Sequence, residues 1–268
     1  MLTLQDLLRT RTTQPPLNKA MYFSGTSSYI EGSFSLSWSA TPELNNYTFC
    51  MYVYPRKTPM SGWSSHIGRR DIYFFGVGFY NSSKSQYTGI ALEFIDTNGD
   101  DVPEEVHPLG FYMNVDEWDT PSPINIGLEQ WTFLCGVFNS WTNAVGYNVL
   151  INGTKTTSVV RGWGGIHTWS GYADKYRVAP QMYGSGAGVY VASVLIYRKR
   201  ALTLQEVAYI AQNSNNPIRD GLVLWLDARA CDTSKNICYD LSGNNNHGTM
   251  YNVQIVSLSN PVRAGGSL

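Results

Sequence analysis

The chain has 268 residues, of which 43% are hydrophobic and only 15% are charged, and its formal net charge is −1. This length fits one large β domain or two smaller domains. The balanced charge offers no electrostatic attraction for nucleic acid or an anionic membrane, and no apolar run approaches the ~20 residues of a membrane span.

Residues 1–20 are predicted to form an N-terminal arm. Leu2–Arg9 has the pattern of a short amphipathic helix with Thr3 as its N-cap, and the prolines that follow end it. The arm has neither a long apolar core nor a cleavage site, so we expect no secretory signal. The protein is then either cytosolic or reaches a virion or an extracellular surface by another route.

From Met21 to about Tyr197 the sequence consists of short β-rich runs bounded by Gly, Pro, Asn or Ser, such as YTFCMYVYP, DIYFFGVGFY and GVYVASVLIY. Asn98-Gly99 and Asn152-Gly153 favour tight hairpins. Because no helix separates these runs, the pattern predicts an all-β fold, an antiparallel sandwich or barrel.

A helix is predicted in ALTLQEVAYIAQN from Ala201, where Thr203 and Glu206 form a capping-box pattern. Its apolar residues at helical spacing are Leu204, Val207, Ala208 and Ile210. A proline-containing linker follows. The predicted organisation is an arm (1–20), a β-sandwich (21–213), a linker (214–220) and C-terminal strands (221–268).

Three segments together resemble laminin-G-like, concanavalin A-like β-sandwiches. MYFSGTSSYIEG resembles an early strand of that superfamily, QWTFLCGVF with YNVLINGTKTTS resembles two paired strands, and VASVLIYRKRALTLQEVAYI resembles its last strand and following helix. The resemblance covers most of Met21 to Gln212. It implies a two-sheet antiparallel jelly roll with one or two short helices.

The segment GLVLWLDARACDTSKNICYDLSGNNNHGT, from Gly221 to Thr249, contains pieces that open the chain in that superfamily. Here they follow the last helix, so the order is permuted. Its apolar run consists of Leu222, Val223, Leu224, Trp225 and Leu226. Burying one large apolar side chain contributes roughly 1.5–3 kcal/mol, so we expect this strand to be buried. It either completes its own sandwich or fills the slot of a neighbouring subunit, which would build a homo-oligomer or filament.

The cysteines suggest two pairs. Cys231 and Cys238 are close enough in the sequence to close a small loop, and we predict a disulfide between them. Cys50 and Cys135 lie in apolar runs and are either buried thiols or a second disulfide. Their spacing does not support a zinc site.

One segment, EFIDTNGDDVPEE, has the alternating oxygen ligands of a calcium loop in Asp96, Asn98 and Asp100. It resembles the Asp-x-Asn-x-Asp-Gly-x-x-Asp repeats of calcium-binding extracellular proteins, but it departs from them at Asp101, where glycine is expected, and at Glu104. His107 occupies the position of the final EF-hand glutamate. Calcium is therefore the one candidate cofactor, and a polar hairpin turn is the alternative.

A glycine-rich segment, RGWGGIHTWSGYADKY, is the candidate glycan-binding site. Its aromatic residues are Trp163, Trp169, Tyr172 and Tyr176. Exposed aromatic rings stack on sugars while nearby Arg or Asp side chains hydrogen-bond the hydroxyl groups. The alternative is that the loop packs its own aromatic rings over an open end of the sandwich.

Catalysis is not expected. Some concanavalin A-type sandwiches are glycosidases with two carboxylates on one strand face, but Glu93 and Asp96 are three residues apart and lie on opposite faces. The leading prediction is a non-enzymatic structural protein of a virus particle or extracellular filament. The alternative is a lectin-like adhesion module for a cell-surface glycan, assisted by calcium.

Overall fold

The structure is a computed structural model of the chain. It describes residues 17–25, 27–34, 47–59, 64–66, 69–81, 86–112, 125–138, 145–151, 154–161, 175–180 and 188–262. These residues are mostly in β-strands, which confirms the predicted all-β class. None of the helical structure in these ranges has the length and apolar character needed to cross a membrane.

The strands of the first half of the chain are β1 (Leu17–Phe23), β2 (Tyr29–Ser33), β3 (Tyr47–Pro55), β4 (Ser64–His66), β5 (Arg69–Asn81), β6 (Gln86–Asp96), β7 (Glu105–Tyr112) and β8 (Thr132–Phe138). The remaining elements are β9 (Val145–Ile151), β10 (Thr154–Arg161), β11 (Lys175–Pro180), β12 (Val189–Tyr197), α1 (Leu204–Gln212), β13 (Leu222–Asp232), β14 (Ile237–Asp240), β15 (Gly248–Tyr251) and β16 (Gln254–Val262).

The strands hydrogen-bond in the order β10-β9-β8-β3-β12-β13-β14-β15-β2-β11-β5-β6-β7, while β1 pairs with both β12 and β16, and β4 pairs with β5. Neighbours are antiparallel, including β6–β7 and β9–β10, whose connections contain the two Asn-Gly pairs. Two residues separate β9 from β10, as expected for a tight hairpin, whereas eight residues, 97–104, separate β6 from β7. The first part of this path, through β13, packs against the last part, from β2 to β7, as a two-layer sandwich.

The core between the two layers contains inward-facing residues of both. They include Phe49, Met51, Val194, Leu224 and Leu226 from one layer, and Ile30, Phe75, Val77, Leu92 and Val178 from the other. A second cluster lies on the outer face of the first layer and includes Tyr52, Phe133, Leu195, Val207 and Ile210. Two apolar surfaces are therefore buried, one between the sheets and one under α1.

The helix α1 begins as the capping box predicted. Glu206 N donates to Thr203 Oγ1 at 3.3 Å, and Thr203 N donates to Glu206 Oε2 at 2.8 Å. Val207 and Ile210 are buried against the sheet, but Leu204 at the first position is 39% exposed. The predicted apolar stripe is therefore correct except at its first residue.

The first strand begins inside the predicted arm. β1 starts at Leu17, and its residue Met21 pairs with Val191 of β12 and with Ile255 of β16. β1 therefore includes the last four residues of the predicted arm, 17–20. The predicted helix at Leu2–Arg9 lies outside the described residues.

The strand β13 occupies a place in its own sandwich. Leu226 pairs with Val194 of β12, and Leu224 and Leu226 are both completely buried. The apolar run is thus buried as predicted, and the structure shows the alternative in which the strand stays in its own chain. Donation to a neighbouring subunit has no support in this arrangement.

Both cysteine pairs are cross-strand disulfides. Cys231 lies opposite Cys238 on β13 and β14, as predicted, and Cys50 lies opposite Cys135 on β3 and β8. For Cys50 and Cys135, the structure therefore shows the disulfide and not two separate thiols. The Cys231–Cys238 bond fixes β14 to the central strand, and β14 in turn supports β15.

Candidate functional site

The turn between β14 and β15 is organised by one buried carboxylate, Asp240, which is 7% exposed. Its Oδ1 accepts hydrogen bonds from Trp225 N and Ser242 N, both at 2.9 Å. Its Oδ2 accepts from Ser242 Oγ at 2.7 Å and from Asn246 N at 3.0 Å. The Asp-x-Ser-Gly-Asn-x-Asn segment is therefore a structural turn that fixes where β15 starts.

Side chains of the same turn extend the pairing of β13 beyond the end of β14. Asn244 Nδ2 donates to Leu222 O at 3.0 Å, and Asn246 Nδ2 donates to Val223 O at 2.8 Å. These amides satisfy backbone carbonyls that would otherwise lack a neighbouring strand. This explains why the segment is rich in Asn and Ser, because their short side chains carry donors that reach these carbonyls.

Beyond this turn, β15 and β2 place two tyrosines side by side on the outer face of the second layer. Tyr251 pairs with Tyr29 in the strand register, and their rings stack with centroids 4.3 Å apart and an interplanar angle of 17°. The guanidinium carbon of Arg177, on β11, lies 4.7 Å from the centroid of the Tyr29 ring. Tyr251 is 42% exposed, so this stack ends in an aromatic ring open to solvent.

Charged and polar groups surround the two rings. Glu31 accepts from Lys175 Nζ at 2.6 Å and from Arg177 Nε at 2.9 Å. Exposed Thr249 lies opposite Glu31 in the register of β15 and β2. We call this surface the tyrosine face; it consists of Tyr29, Glu31, Lys175, Arg177, Thr249 and Tyr251.

The Glu31 ion pairs predict a pH dependence of stability. Burial acts to raise the pKa of Glu31, but the hydrogen bonds and charges of Lys175 and Arg177 outweigh it and lower the pKa below the ordinary glutamate value. A lowered folded-state pKa adds stability at neutral pH that is lost as the pH falls through the folded-state value. The stability difference between wild type and Glu31→Gln, measured by urea unfolding, should therefore shrink below the ordinary glutamate range. A difference that stays constant across acidic pH would contradict this.

Chemically, the tyrosine face combines an apolar ring with both hydrogen-bond donors and hydrogen-bond acceptors. Binding sites for small polar molecules use aromatic side chains for contact area and a few placed polar groups for orientation. A sugar presents an apolar ring face and a rim of hydroxyl groups, which matches this combination.

The segment predicted to bind calcium forms a compact acidic loop between β6 and β7. Asp96, Asp100 and Glu104 each place one carboxylate oxygen within 4.8 Å of the others. Asp96 is 3% exposed, and its Oδ1 accepts from Gly99 N at 2.5 Å. Asp101 has a φ of 66°, the left-handed conformation for which glycine was expected at this position.

The acidic loop differs from the predicted ligand set in two residues. Glu104 joins the carboxylates, although in the sequence it was noted only as a departure from the repeat and was not among the predicted ligands. Asn98, which was included, directs its amide nitrogen to Glu104 Oε1 at 3.0 Å, while its Oδ1 accepts from Asp100 N at 2.9 Å. The structure thus brings together Asp96 and Asp100 with Glu104. Asn98 connects Glu104 and Asp100 through hydrogen bonds within the loop.

The predicted glycan-binding segment is described only at its end. Trp163, Trp169 and Tyr172 lie outside the described residues. Tyr176 faces the core on β11, is completely buried, and donates its hydroxyl to Asn246 O at 2.8 Å. Burial raises the pKa of Tyr176 well above the ordinary tyrosine value. The prediction of a sugar-stacking role is wrong for Tyr176, because its ring has no exposed face.

Comparisons with known proteins bear on the fold. No protein-family model matches the sequence, and no curated protein sequence matches it. Among solved structures, the chain is similar to a "putative carbohydrate binding protein" from Bacteroides ovatus, with a TM-score of 0.55, 15% identity, and coverage of 94% of this chain but only 63% of that one. It is also similar to a native heptameric SAP-like pentraxin from Limulus polyphemus, with a TM-score of 0.53, 15% identity, and coverage of 92% and 98%.

A sialidase from Trypanosoma rangeli is more distant, with a TM-score of 0.43 over 73% of this chain and 28% of that one, and it supports no conclusion about activity. The chain spans less than two thirds of the Bacteroides protein. At these identities the similarities show the fold alone. The fold is an all-β sandwich of the concanavalin A-like, jelly-roll type.

Proposed function

We propose that this protein is a non-enzymatic, lectin-like module that binds carbohydrate through the tyrosine face. The observation on which the proposal rests is the Tyr251 ring, 42% exposed and stacked on Tyr29. A sugar ring placed against Tyr251 would bury apolar area on both partners. This is the alternative function that the sequence suggested. The role in a virus particle or filament finds no support in the described structure or in the comparisons.

The packing of the tyrosine face favours binding of a ligand with little loss of entropy. Tyr29 is held between Tyr251 and the Arg177 guanidinium, and Arg177 is itself held by Glu31. Side chains that are already ordered lose less conformational freedom when a ligand binds, so more of the contact energy appears as affinity. The similarity to the Bacteroides protein, which is named for carbohydrate binding, agrees with the proposal at the level of fold.

Tyr251→Ala tests the proposal. We expect the variant to lose about tenfold or more in affinity for any glycan that the wild-type protein retains, since an aromatic contact contributes about 0.5–1.5 kcal/mol beyond its buried area. The measurement is retention on an array of immobilised oligosaccharides, followed by titration of the strongest binder. Leu241→Ala is the matched control, because Leu241 is a similarly exposed apolar side chain at 37%. Equal retention by both variants would exclude the tyrosine face as the site.

We also propose that the acidic loop binds calcium. Three converging carboxylates and the left-handed Asp101 support this, because Ca²⁺ prefers several oxygen ligands on a tightly turned loop. Calcium should raise the thermal unfolding temperature of the wild type, and Asp100→Asn should abolish most of that rise. Asp220→Asn, which changes a carboxylate with 78% side-chain exposure elsewhere, is the control and should keep it. An equal rise in both variants, or none in the wild type, would reject the calcium site.

Self-association and an extracellular location remain proposals. The Limulus pentraxin in the comparison is heptameric, and the two disulfides are typical of proteins in oxidising compartments. Light scattering on the full-length chain would decide the oligomeric state.

A further inference from the structure

We propose that the ligand of the tyrosine face is an extended oligosaccharide lying along β15 from Tyr251 to His247, and not a single sugar. This inference rests on the proposed function and adds a second contact site at the far end of the strand. That second site consists of Tyr239 and His247. Lys235 lies along the same path.

The outer face of β15 provides a continuous line of exposed positions. Residues His247, Thr249 and Tyr251 are all exposed, while Gly248 and Met250 between them are buried. Alternate residues of a strand point to the same face, and the four steps from His247, which directly precedes β15, to Tyr251 span about 13 Å in an extended chain. This distance exceeds the width of one sugar ring, so a ligand that contacts both ends must be a chain of sugars.

At the Tyr251 end, stacking on Tyr29 leaves the other side of the Tyr251 ring open. Tyr29 lies on β2, and β15 runs between β2 and β14. The hairpin tip before β14 contacts β15, where Met250 N donates to Asn236 O at 2.8 Å. Lys235, the residue before Asn236, has 62% side-chain exposure, and its Nζ lies 3.4 Å from Asp232 Oδ2.

At the other end, Tyr239 and His247 form an edge-to-face pair with ring centroids 5.3 Å apart. His247 Nδ1 accepts a hydrogen bond from Asp240 N at 3.0 Å. In the neutral imidazole the hydrogen is therefore on Nε2, which becomes a donor of fixed orientation. Lys235 Nζ donates to Tyr239 Oη at 3.4 Å, which links this pair to the hairpin tip.

Between the two ends, the surface is formed by shorter side chains. Thr249 lies opposite Ile237 in the register of β14 and β15, and both side chains are short compared with the tyrosines on either side. A hydroxyl group at Thr249 is placed to bond a sugar in the middle of the path. The site therefore has an aromatic group at each end and the Thr249 hydroxyl between them, with Lys235 along one side. Its length suits a chain of sugars.

The test uses graded probes, the monomer through pentamer of the glucose series from cellulose, the N-acetylglucosamine series from chitin, and the mannose series from mannan. Affinity of the full-length protein, measured by calorimetry, should rise at least tenfold between monomer and trimer in the series that binds best. His247→Ala should remove most of that rise, whereas Tyr251→Ala should weaken every length.

A second variant guards against a local folding effect, because His247 also supports the backbone of the Asp240 turn. Tyr239→Ala leaves that hydrogen bond in place and should likewise remove most of the rise in affinity with probe length. Equal affinity for monomer and trimer, or full trimer affinity in both variants, would overturn the extended site while leaving carbohydrate binding intact. If no probe of any series binds, both the extended site and the proposed function are overturned.

Discussion

Leu224→Ala is expected to lower the free energy of unfolding by about 2–5 kcal/mol, the range for truncating a fully buried leucine. Leu224 is completely buried in the core between the two layers, and it lies on β13, which pairs with β12 in the middle of the sheet. The cost has two parts. Transfer of the lost methyl groups removes favourable burial, and the remaining cavity loses van der Waals contacts because the surrounding strands cannot close around it.

Urea unfolding of the full-length protein measures this loss. Leu241→Ala is the control, since Leu241 is 37% exposed on the turn that follows β14 and its truncation should change stability by no more than about 0.5 kcal/mol. A loss for Leu224→Ala as small as that of the control would mean that β13 does not occupy the core of its own chain. The strand would then be free to pair elsewhere, as the donated-strand prediction required.

Asp240→Ala is expected to cost about 3 kcal/mol or more. The substitution leaves Trp225 N, Ser242 N and Asn246 N without their acceptor. A buried donor without a partner costs about 1–3 kcal/mol, and part of this is recovered if water enters the turn. The loss should also disturb β15, because the turn that Asp240 organises sets where that strand begins.

The control for Asp240→Ala is Asp220→Ala, which removes a carboxylate with 78% side-chain exposure from the surface. Its effect should stay within the small range of surface ion pairs, about 0–1 kcal/mol. Comparable stability losses in the two variants would show that the Asp240 turn is not an essential support. A destabilised Asp240→Ala that still binds glycan at full affinity would separate the turn from the tyrosine face.

Several features of the fold could be predicted because their physical cause is local. The run LVLWL is apolar on both faces, and a strand of that kind must be covered on both sides, as Leu224 and Trp225 are. The capping box at Thr203 follows equally from neighbouring residues. The cysteine pair Cys231–Cys238 is also a short-range feature.

The tyrosine face could not be predicted, because it depends on a pairing between distant segments. The alternation in SYIEG and GTMY is enough to place Tyr29 and Tyr251 on the outer faces of their strands. Nothing in either segment indicates that β2 and β15 are neighbours with these two residues in register. The same limitation explains why the prediction for Tyr176 was wrong. Its glycine-rich flank suggested an exposed loop, but the residue lies near the start of β11 and faces the core.

The acidic loop could be predicted in part. Its spacing in the sequence identified Asp96 and Asp100, and the apparent mismatch at Asp101 is resolved by a left-handed backbone that Asp tolerates better than most residues. Glu104 enters because the loop closes back on β6, where Glu104 N donates to Ile95 O at 3.0 Å. That closure is a property of the folded hairpin, and the sequence showed Glu104 only as a departure from the repeat.

The central claim is that glycan binds along the outer face of β15, and backbone amide NMR on the full-length protein tests it most directly. The probe is the oligosaccharide that the wild-type protein retains most strongly on the array. We predict that shift changes concentrate in residues 235–251 and around Tyr29, with little change in the acidic loop at 96–104. Shift changes confined to other parts of the sandwich, or no changes with any retained oligosaccharide, would contradict the account.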